Sequence, residues 1–189
     1  MIDAYTIVFN RLTIIPIIFR LKHYLIIANM PSKKVGASIN MRSVVQRVDR
    51  AKVRVEERII SSIGRGVLVF LGVEKGDSNN DADYLQEKII NLRIFEDVEA
   101  KMNLSLLDIS GDMLVVSQFT LLGDCRKGRR PSFITAEQPE EAKKLYEYFI
   151  CKARQKISNV GAGEFQAMMK IESVNDGPVT MLLDSKKTF

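Results

Sequence analysis

Two short stretches of this sequence hold residue types that could bind and hydrolyse a substrate. The first is SQFTL at residues 117–121, which follows the apolar run 113–116 and so lies where a buried strand is expected to end. Hydroxyl side chains and free backbone N–H groups are accessible to a ligand at such an end. Taken singly, Ser117 and Thr120 are more typical of ordinary strand ends, because serine and threonine close strands often.

The second stretch is NDGPVT at residues 175–180, where two apolar runs meet at a Gly177-Pro178 step. Proline has no N–H group and a fixed φ, and glycine reaches conformations that other residues cannot, so neither a helix nor a central strand tolerates this step. An X-Pro bond is also the natural place for a cis peptide. Taken alone, the six residues favour a tight turn between two strands over a functional loop.

The inventory of reactive side chains restricts the chemistry. His23 is the only histidine of the sequence, so residues 41–189 contain neither a Ser-His-Asp nor a Cys-His arrangement. Cys125 and Cys151 lie 26 positions apart, without a CxxC pattern or a nearby histidine. These spacings exclude a zinc site and argue against a disulfide framework, and no cofactor is expected.

The composition is that of one globular domain with a core of its own. The chain has 189 residues, of which 46% are hydrophobic and 27% are charged. Residues 1–40 carry five of the 28 basic residues and one of the 23 acidic ones, so the rest of the chain has a net charge of only +1. Contact with a nucleic acid must therefore come from a local basic patch and not from the overall charge of +5.

Residues 1–40 differ in character from the remainder of the chain. They are rich in Ile, Leu and Phe, but no uncharged run among them approaches the ~20 residues needed to span a bilayer. Met30 and Met41 are both internal start candidates. Because the segment has no consistent helical or strand period, we expect an over-extended start or a disordered tail rather than a targeting segment.

The elements that must position the two stretches are mostly strands. From Ser43 onward, short β-branched runs predict a meander of antiparallel strands with glycine at the turns. The predicted hairpin turn between two of them is Gly64-Arg65-Gly66. The predicted strands are residues 44–48, 53–55, 59–63 and 67–73, a strand reaching Ser117, and two last strands, 165–174 and 179–183, that flank the Gly-Pro step.

Two helices interrupt the strands. The first follows cap residues at 76–80 and carries Leu85, Ile89 and Leu92 on one face. The second begins at Pro139, where a first helical turn accepts proline. Its apolar stripe is more typical of a core than of a stacking platform, and consists of Ala142, Leu145, Tyr146, Phe149, Ala153 and Ile157. Strands with inserted helices argue for an α+β fold.

Four segments together resemble the D-aminoacyl-tRNA deacylase family. They are SQFTL, NDGPVT, MRSVVQRV at 41–48 and RPSF at 130–133. The resemblance runs from Met41 to about Ser185 and implies one domain, residues 41–189. The fold implied is α+β, a barrel-like, antiparallel-rich β-sheet with two helices packed outside.

The resemblance also implies an activity. It is hydrolysis of the ester that joins a D-amino acid, and by extension glycine, to the terminal ribose of tRNA, a chiral proofreading step of translation in the cytoplasm. Such an ester is already activated, so positioning and oxyanion stabilisation are the main tasks of the enzyme. A missing histidine is then no obstacle.

The family motifs carry site roles onto matching residues of this chain. Backbone N–H groups around Phe119 and Thr120 would bind the oxyanion, and Ser117 and Gln118 would shape the floor of the site. Thr120 is either a positioning residue or a nucleophile, and positioning is favoured because no base lies near it in the sequence.

The resemblance assigns the Gly-Pro step to substrate binding across a homodimer. Gly177 and Pro178, with a cis bond, would enter the site of the partner subunit, catch the amino group of the substrate and block an L side chain. Arg47 would hold this loop in orientation, whereas Asp176 is a turn acceptor rather than a base. Gln166 departs from the pattern, in which glycine is common, and this affects the shape of the pocket.

A basic loop follows SQFTL soon afterwards. Charge runs are common on solvated surfaces, and that remains one interpretation of this loop. The other is a contact with the phosphates of a tRNA acceptor end, which give affinity and register without reading sequence. The four cations of the loop are Arg126, Lys127, Arg129 and Arg130.

Two rival functions remain at this point. The first is a nucleic-acid-binding module on the same fold, in which the basic loop binds and nothing is catalysed. The second is a related deacylase with a trans Gly-Pro step that removes L-alanine. Intact SQFTL and Gly-Pro motifs argue against the first rival, and the Ser-Gln-Phe-Thr form argues against the second.

Overall fold

A six-stranded β-sheet curls into a nearly closed barrel in residues 40–188, the part of the chain that this computed structural model describes. The expectations for the N-terminal extension therefore lie outside the described residues, apart from Asn40. A separate two-stranded hairpin consists of β4 (Phe95–Glu96) and β5 (Met102–Leu104). The strands of the barrel are β1 (Arg42–Val55), β2 (Arg58–Ile63), β3 (Gly66–Gly72), β6 (Asp112–Ser117), β7 (Val160–Ala162) and β8 (Met169–Asp184).

Strand β1 is the centre of the sheet. It pairs with β8 along one edge and with β2 and then β3 along the other, always antiparallel, whereas β6 is parallel to both β3 and β7. The prediction of two strands at 44–48 and 53–55 is wrong, because β1 is continuous. The pairing of β1 with β8 shifts register between Val48 and Arg50. The polar Asp49-Arg50 step is therefore a β-bulge within the strand and not the end of a strand.

The segment Gly64-Arg65-Gly66 is not the predicted hairpin turn. Strands β2 and β3 follow one another along the same edge of β1, so the chain reverses earlier, near Glu56, which has a φ of 53°. Glycine is required at position 66 because β3 approaches β6 closely there. A Cβ on Gly66 would lie 1.9 Å from the carbonyl oxygen of Asp112.

Two helices cover the sheet, as the sequence predicted. Helix α1 (Asn79–Ile90) begins with a capping box in which the Asp81 carboxylate accepts a 2.9 Å hydrogen bond from the Ser78 N–H group. Helix α2 (Pro139–Arg154) buries Phe149 completely, and burial of such a side chain stabilises a fold by about 1.5–3 kcal/mol. The α+β class, with two helices outside an antiparallel-rich barrel, is confirmed.

None of the helices in residues 40–188 has the length and apolar character needed to cross a membrane.

Strand β8 carries the Gly-Pro step inside a continuous strand. Both of its halves pair with β1, so the predicted pair of strands joined by a tight turn is wrong. The register passes from Val48 opposite Asn175 directly to Gln46 opposite Thr180. Residues 176–179 therefore form an excursion from the strand, opposite the one β1 residue that the register skips, Arg47. The stretch 165–168, predicted as strand, is a turn.

A cluster of carboxyl groups lies where β3 ends and α1 begins. Glu74 is buried and accepts a 2.7 Å hydrogen bond from the N–H group of Asn40, and Asp81 forms a 3.0 Å ion pair with Lys186. Asp77 accepts a 2.6 Å hydrogen bond from the Glu74 N–H group. Burial, added to by the nearby charges of Asp81 and Glu74, raises the pKa of Asp77 to about 7 from 3.8.

We expect this carboxyl group to make the fold less stable as the pH rises. Because its folded-state pKa is raised, its contribution to stability is complete below the unfolded value near 4 and is lost as the pH passes through about 7. An Asp77→Asn variant stays neutral and can accept the same hydrogen bond. The fall in Tm between pH 5 and pH 8 should therefore be smaller in D77N than in the unmodified protein.

The matched control is Asp49→Asn, at an exposed position on the β1 bulge, which should leave the dependence of Tm on pH unchanged. An equal fall in Tm for D77N and the unmodified protein would contradict the assignment to Asp77.

Candidate active site

A cavity of about 640 Å³ opens beside the end of β6. This volume lies within the range of roughly 300–1,000 Å³ that is usual for small-molecule sites. Four separated segments of the chain contribute to its walls: residues 71–73 at the end of β3, residues 116–119 at the end of β6, residues 133–146 leading into α2, and the stretch 165–171. Its apolar walls include Val116, Phe119, Phe133, Tyr146, Phe165 and Met168. Gln166, the departure from the family pattern, also lines it, with a φ of 65°.

The SQFTL turn is fastened to the sheet on both sides. Ser117 ends β6, and the Gln118 N–H group donates a 2.7 Å hydrogen bond to the carbonyl of Leu71 in β3. A 3₁₀-helix, Phe119–Leu122, follows at once. Arg42 of β1 donates a 3.1 Å hydrogen bond from Nη1 to the carbonyl of Leu121. Sequence reasoning missed Arg42, since nothing in its spacing connects it with residues about 80 positions later.

The 3₁₀-helix begins at the edge of the cavity. Phe119 and Thr120 are its first two residues, and the first N–H groups of a helix have no acceptor within that helix. Ser117, Gln118 and Phe119 line the cavity, whereas Thr120 lies beside it and is exposed. Two peptide N–H groups that point in one direction can bind an anionic oxygen.

The Thr120 hydroxyl has a neutral partner. Among the hydrogen bonds of residues 40–188, its oxygen accepts one from the side-chain amide of Gln118 and has no carboxylate or histidine as a partner. An amide cannot take up a proton at neutral pH. The local geometry therefore provides no base that would activate this hydroxyl.

Tyr146 is the titratable side chain deepest in the wall of the cavity. Its OH group donates a 2.8 Å hydrogen bond to the carbonyl of Val115, in β6. Burial raises the pKa of Tyr146 to about 12, so the phenol stays protonated and braces the wall. The prediction that Tyr146 belongs to the core stripe of its helix is confirmed. In the described part of the chain, no three His, Cys, Asp or Glu side chains are grouped in a way that could hold a metal ion.

The Gly-Pro step projects from the outer surface of the sheet. Gly177 and Pro178 are exposed, Gly177 has a φ of 126°, and the bond between them is cis. Arg47 is only 5% exposed and donates from Nε to the carbonyl oxygen of Asp176, at 3.1 Å. The same Nε lies 2.9 Å from the Asp176 carboxylate, and Nη1 donates a 2.6 Å hydrogen bond to the carbonyl of Ile94.

The predicted site residues form two separate groups within one chain. Ser117, Gln118 and Phe119 border the cavity, with Thr120 adjoining them. The second group consists of Arg47, which binds Asp176, and the Gly-Pro step that follows Asp176; neither lines that cavity. Neither group alone contains all the residues that the motifs indicate.

The basic loop lies next to the cavity. The backbones of Asp124 and Ser132 exchange hydrogen bonds of 2.8 and 2.9 Å at its base, and the next residue, Phe133, lines the cavity and packs edge-on against Phe119. Arg126 binds both carboxylate oxygens of Asp124, and this contact holds the pKa of Asp124 well below its usual range. The other three cations of the loop are exposed, and no ion pair found among residues 40–188 involves them: Lys127, Arg129 and Arg130.

Comparisons with known proteins show the family of this chain. The family model described as D-Tyr-tRNA(Tyr) deacylase matches residues 44–184. A relative from Syntrophus aciditrophicus (strain SB), named D-aminoacyl-tRNA deacylase, is 68% identical over 149 residues, which are 79% of this chain and 100% of the relative. A relative of the same name from Thermosipho melanesiensis is 61% identical over 150 residues, again 79% and 100% of the two chains.

A solved structure resembles the chain as well. It is named c-Myc DNA Unwinding Element Binding Protein, is 40% identical and superposes with a TM-score of 0.72 over 76% of this chain and 97% of its own. The matched family model alone spans most of the described residues. The chain therefore belongs to the D-aminoacyl-tRNA deacylase family.

Proposed function

We propose that this protein hydrolyses the ester bond of D-aminoacyl-tRNA, releasing free tRNA and a D-amino acid. The relatives named D-aminoacyl-tRNA deacylase, matched over their full length, support this activity. The observation that carries the proposal is the cavity itself, since it is lined by Phe119, the first residue of the 3₁₀-helix, which Thr120 follows. The backbone N–H groups of these two residues suit the oxyanion that forms when water attacks an ester carbonyl.

The proposed mechanism relies on positioning and electrostatics. An aminoacyl ester is activated, and loss of a single oxyanion donor costs about 10²–10³ in kcat in hydrolases that use such donors. Ser117 and Gln118 form the floor on which the ester is oriented, and Gln118 also holds Thr120 by its hydroxyl. Thr120 acts through its backbone N–H group and not as a nucleophile. An acyl group trapped on Thr120 and detected by mass spectrometry of a quenched reaction would contradict this role.

The Gly-Pro step completes the site of a second subunit. Gly177 and Pro178 are exposed and do not line the cavity of their own chain, so a symmetric homodimer is needed to bring both groups together. The same strand exposes apolar side chains that an interface would cover, among them Leu182, which is 60% exposed. The carbonyl groups of Gly177 and Pro178 then bind the amino group of the substrate.

Such a loop selects its substrates by the chirality of the amino acid. Backbone atoms at fixed positions collide with an L side chain, but they form no pocket that reads which D side chain is present. Glycyl-tRNA has no side chain to collide and is therefore a substrate as well. The reaction is a proofreading step of translation, and we place it in the cytoplasm, where aminoacyl-tRNA is consumed.

The basic loop supplies the tRNA contact. Three of its cations are exposed and form no ion pair among the described residues: Lys127, Arg129 and Arg130. They precede Phe133, which lines the cavity, by three to six positions in the sequence. Arg126 contributes less than the sequence suggests, since Asp124 neutralises it. Phosphate contacts of this kind give affinity and register.

A second candidate function is nucleic-acid binding without catalysis. It is favoured by one observation, the name of the 40% identical structure, which describes binding to a DNA unwinding element. In this chain the same basic loop would be the binding surface.

The activity is tested with purified protein and tRNA charged with D-Tyr, L-Tyr, D-Ala, L-Ala or Gly. We expect release of D-Tyr, D-Ala and Gly and no acceleration with the L esters, because a steric clash discriminates more sharply than the ~1–3 kcal/mol of one methylene. Cleavage of L-Ala-tRNA at the rate of D-Ala-tRNA would favour an L-alanyl-editing enzyme. Binding of nucleic acid without any hydrolysis would favour the second candidate function.

The use of the loop in trans is tested by mixing two inactive variants. A Cβ on Gly177→Ala would lie 2.7 Å from the Val179 side chain and 3.1 Å from Arg47 Nη2, so G177A should disturb the loop. Phe119→Pro removes one oxyanion donor at a helix start, where proline is tolerated. After co-refolding, half of the dimers are mixed and each has one intact site, so about a quarter of the wild-type activity should return.

No recovery of activity in the mixture, with both variants dimeric by sedimentation, would contradict action in trans. An active monomer of the unmodified protein would contradict the dimer itself.

The contribution of the basic loop is tested by Arg129→Ala with Arg130→Ala. We expect weaker tRNA binding and a salt dependence reduced by up to about 0.9 in log–log slope for each lost phosphate contact, with D over L selectivity unchanged. The control removes the same charge elsewhere, at the exposed residues Arg58 in β2 and Lys88 in α1. A slope that falls equally in both double variants, or in neither, would identify the loop as a solvated surface.

A further inference from the structure

The Gly-Pro excursion in β8 is held at two points, one on each side of the dipeptide. Before it, Arg47 binds the carbonyl and the carboxylate of Asp176. After it, the side chain of Asn175 binds Val179. Only the Arg47 contact was expected from the motifs.

Asn175 bridges the excursion through both ends of its amide. Its Oδ1 accepts a 2.9 Å hydrogen bond from the N–H group of Val179. Its Nδ2 lies 3.3 Å from the hydroxyl oxygen of Thr180 and 3.5 Å from the carbonyl of Val179. The Thr180 hydroxyl also accepts a 3.3 Å hydrogen bond from Gln46 of β1, so the amide is itself connected to the neighbouring strand.

This bridge replaces the strand pairing that the excursion lacks. No residue between Asn175 and Thr180 has a ladder partner in β1, within the range that the structure describes. Gly177 adds backbone freedom in the middle of the excursion. Arg47 restrains only the side that enters it, so the direction of the Pro178 carbonyl depends on how Val179 is held.

We propose that Asn175 is a positioning residue, which fixes the Gly177 and Pro178 carbonyl groups by clamping the Val179 N–H group. The inference rests on the proposed function, because those carbonyls bind the substrate amino group there. A displacement of about 1 Å at a reacting centre can cost on the order of 10²-fold in rate. Loss of the clamp should therefore lower both kcat and the selectivity for D over L esters, although Asn175 itself touches no substrate.

The test compares Asn175→Ala with Asn175→Asp. Alanine removes the clamp, whereas aspartate keeps an oxygen that can accept from the Val179 N–H group. We expect kcat on D-Tyr-tRNA to fall at least about ten-fold in N175A, with a lower D over L ratio, and to stay within about three-fold in N175D. The matched control is Asn159→Ala, which removes an amide that donates to Asp112 at the start of β6 and should leave both quantities unchanged.

Amide hydrogen exchange of Val179 reports on the clamp directly. Its protection should be present in the unmodified protein, retained in N175D and lost in N175A. A folded N175A with unchanged kcat and D over L ratio would overturn the proposal, as would equal losses in N175A, N175D and N159A together with a lowered Tm. If N175A fails to fold, N175D decides: a ten-fold loss of kcat with Val179 still protected would overturn it.

The two proposals can fail separately. An unmodified protein that cleaves no aminoacyl-tRNA would contradict the proposed function, whatever the state of the loop. An unprotected Val179 amide in the unmodified protein would contradict the clamp, whatever the activity.

Discussion

The buried guanidinium of Arg47 is the contact on which the arrangement of this protein depends. A charged group that is 5% exposed must be compensated by hydrogen bonds, and removing one partner of such a buried pair typically costs about 3–5 kcal/mol. Arg47 meets this need with acceptors from two distant parts of the chain, the Ile94 carbonyl before β4 and Asp176 in β8. The side chain can be satisfied only when the hairpin and the Gly-Pro excursion are both in place.

Strand β1 connects this contact with the rest of the candidate site. Arg42 at its start holds the 3₁₀-helix beside the cavity, and Arg47, five residues later, holds the excursion. Side chains an odd number of positions apart point to opposite faces of a strand. One rigid strand can therefore position both groups of site residues without bringing them together within one chain.

Charge in this protein acts locally. The part of the chain beyond residue 40 is nearly neutral, and most of its ion pairs are exposed pairs that typically contribute little to stability. Asp124 shows how a single carboxylate changes the character of the basic loop, because it occupies Arg126 and leaves three cations to face solvent. The Asp77 carboxyl group is the opposite case, since burial is the largest cause of its raised pKa.

The sequence by itself determined much of this protein: the strand-rich order, the two helices with their caps and buried faces, and both motifs. Periodicity, cap residues and the chemistry of a Gly-Pro step are local properties, so a single segment is enough to read them. Local signals could not tell a turn from a bulge. Asp49-Arg50 and Gly64-Arg65 break the apolar runs as a turn would, yet the neighbouring strands keep the chain running along the same edges.

Only the tertiary structure decided which distant groups meet. Tyr146 and Phe133 reach one cavity from different elements, Arg42 reaches Leu121, and Asp124 neutralises Arg126. Each of these contacts depends on strand pairing and helix packing between segments far apart in the chain, and no periodicity within one segment encodes such a partner. The amide of Asn175 spans only a few residues, but its role appears only once β8 is seen to continue past the excursion.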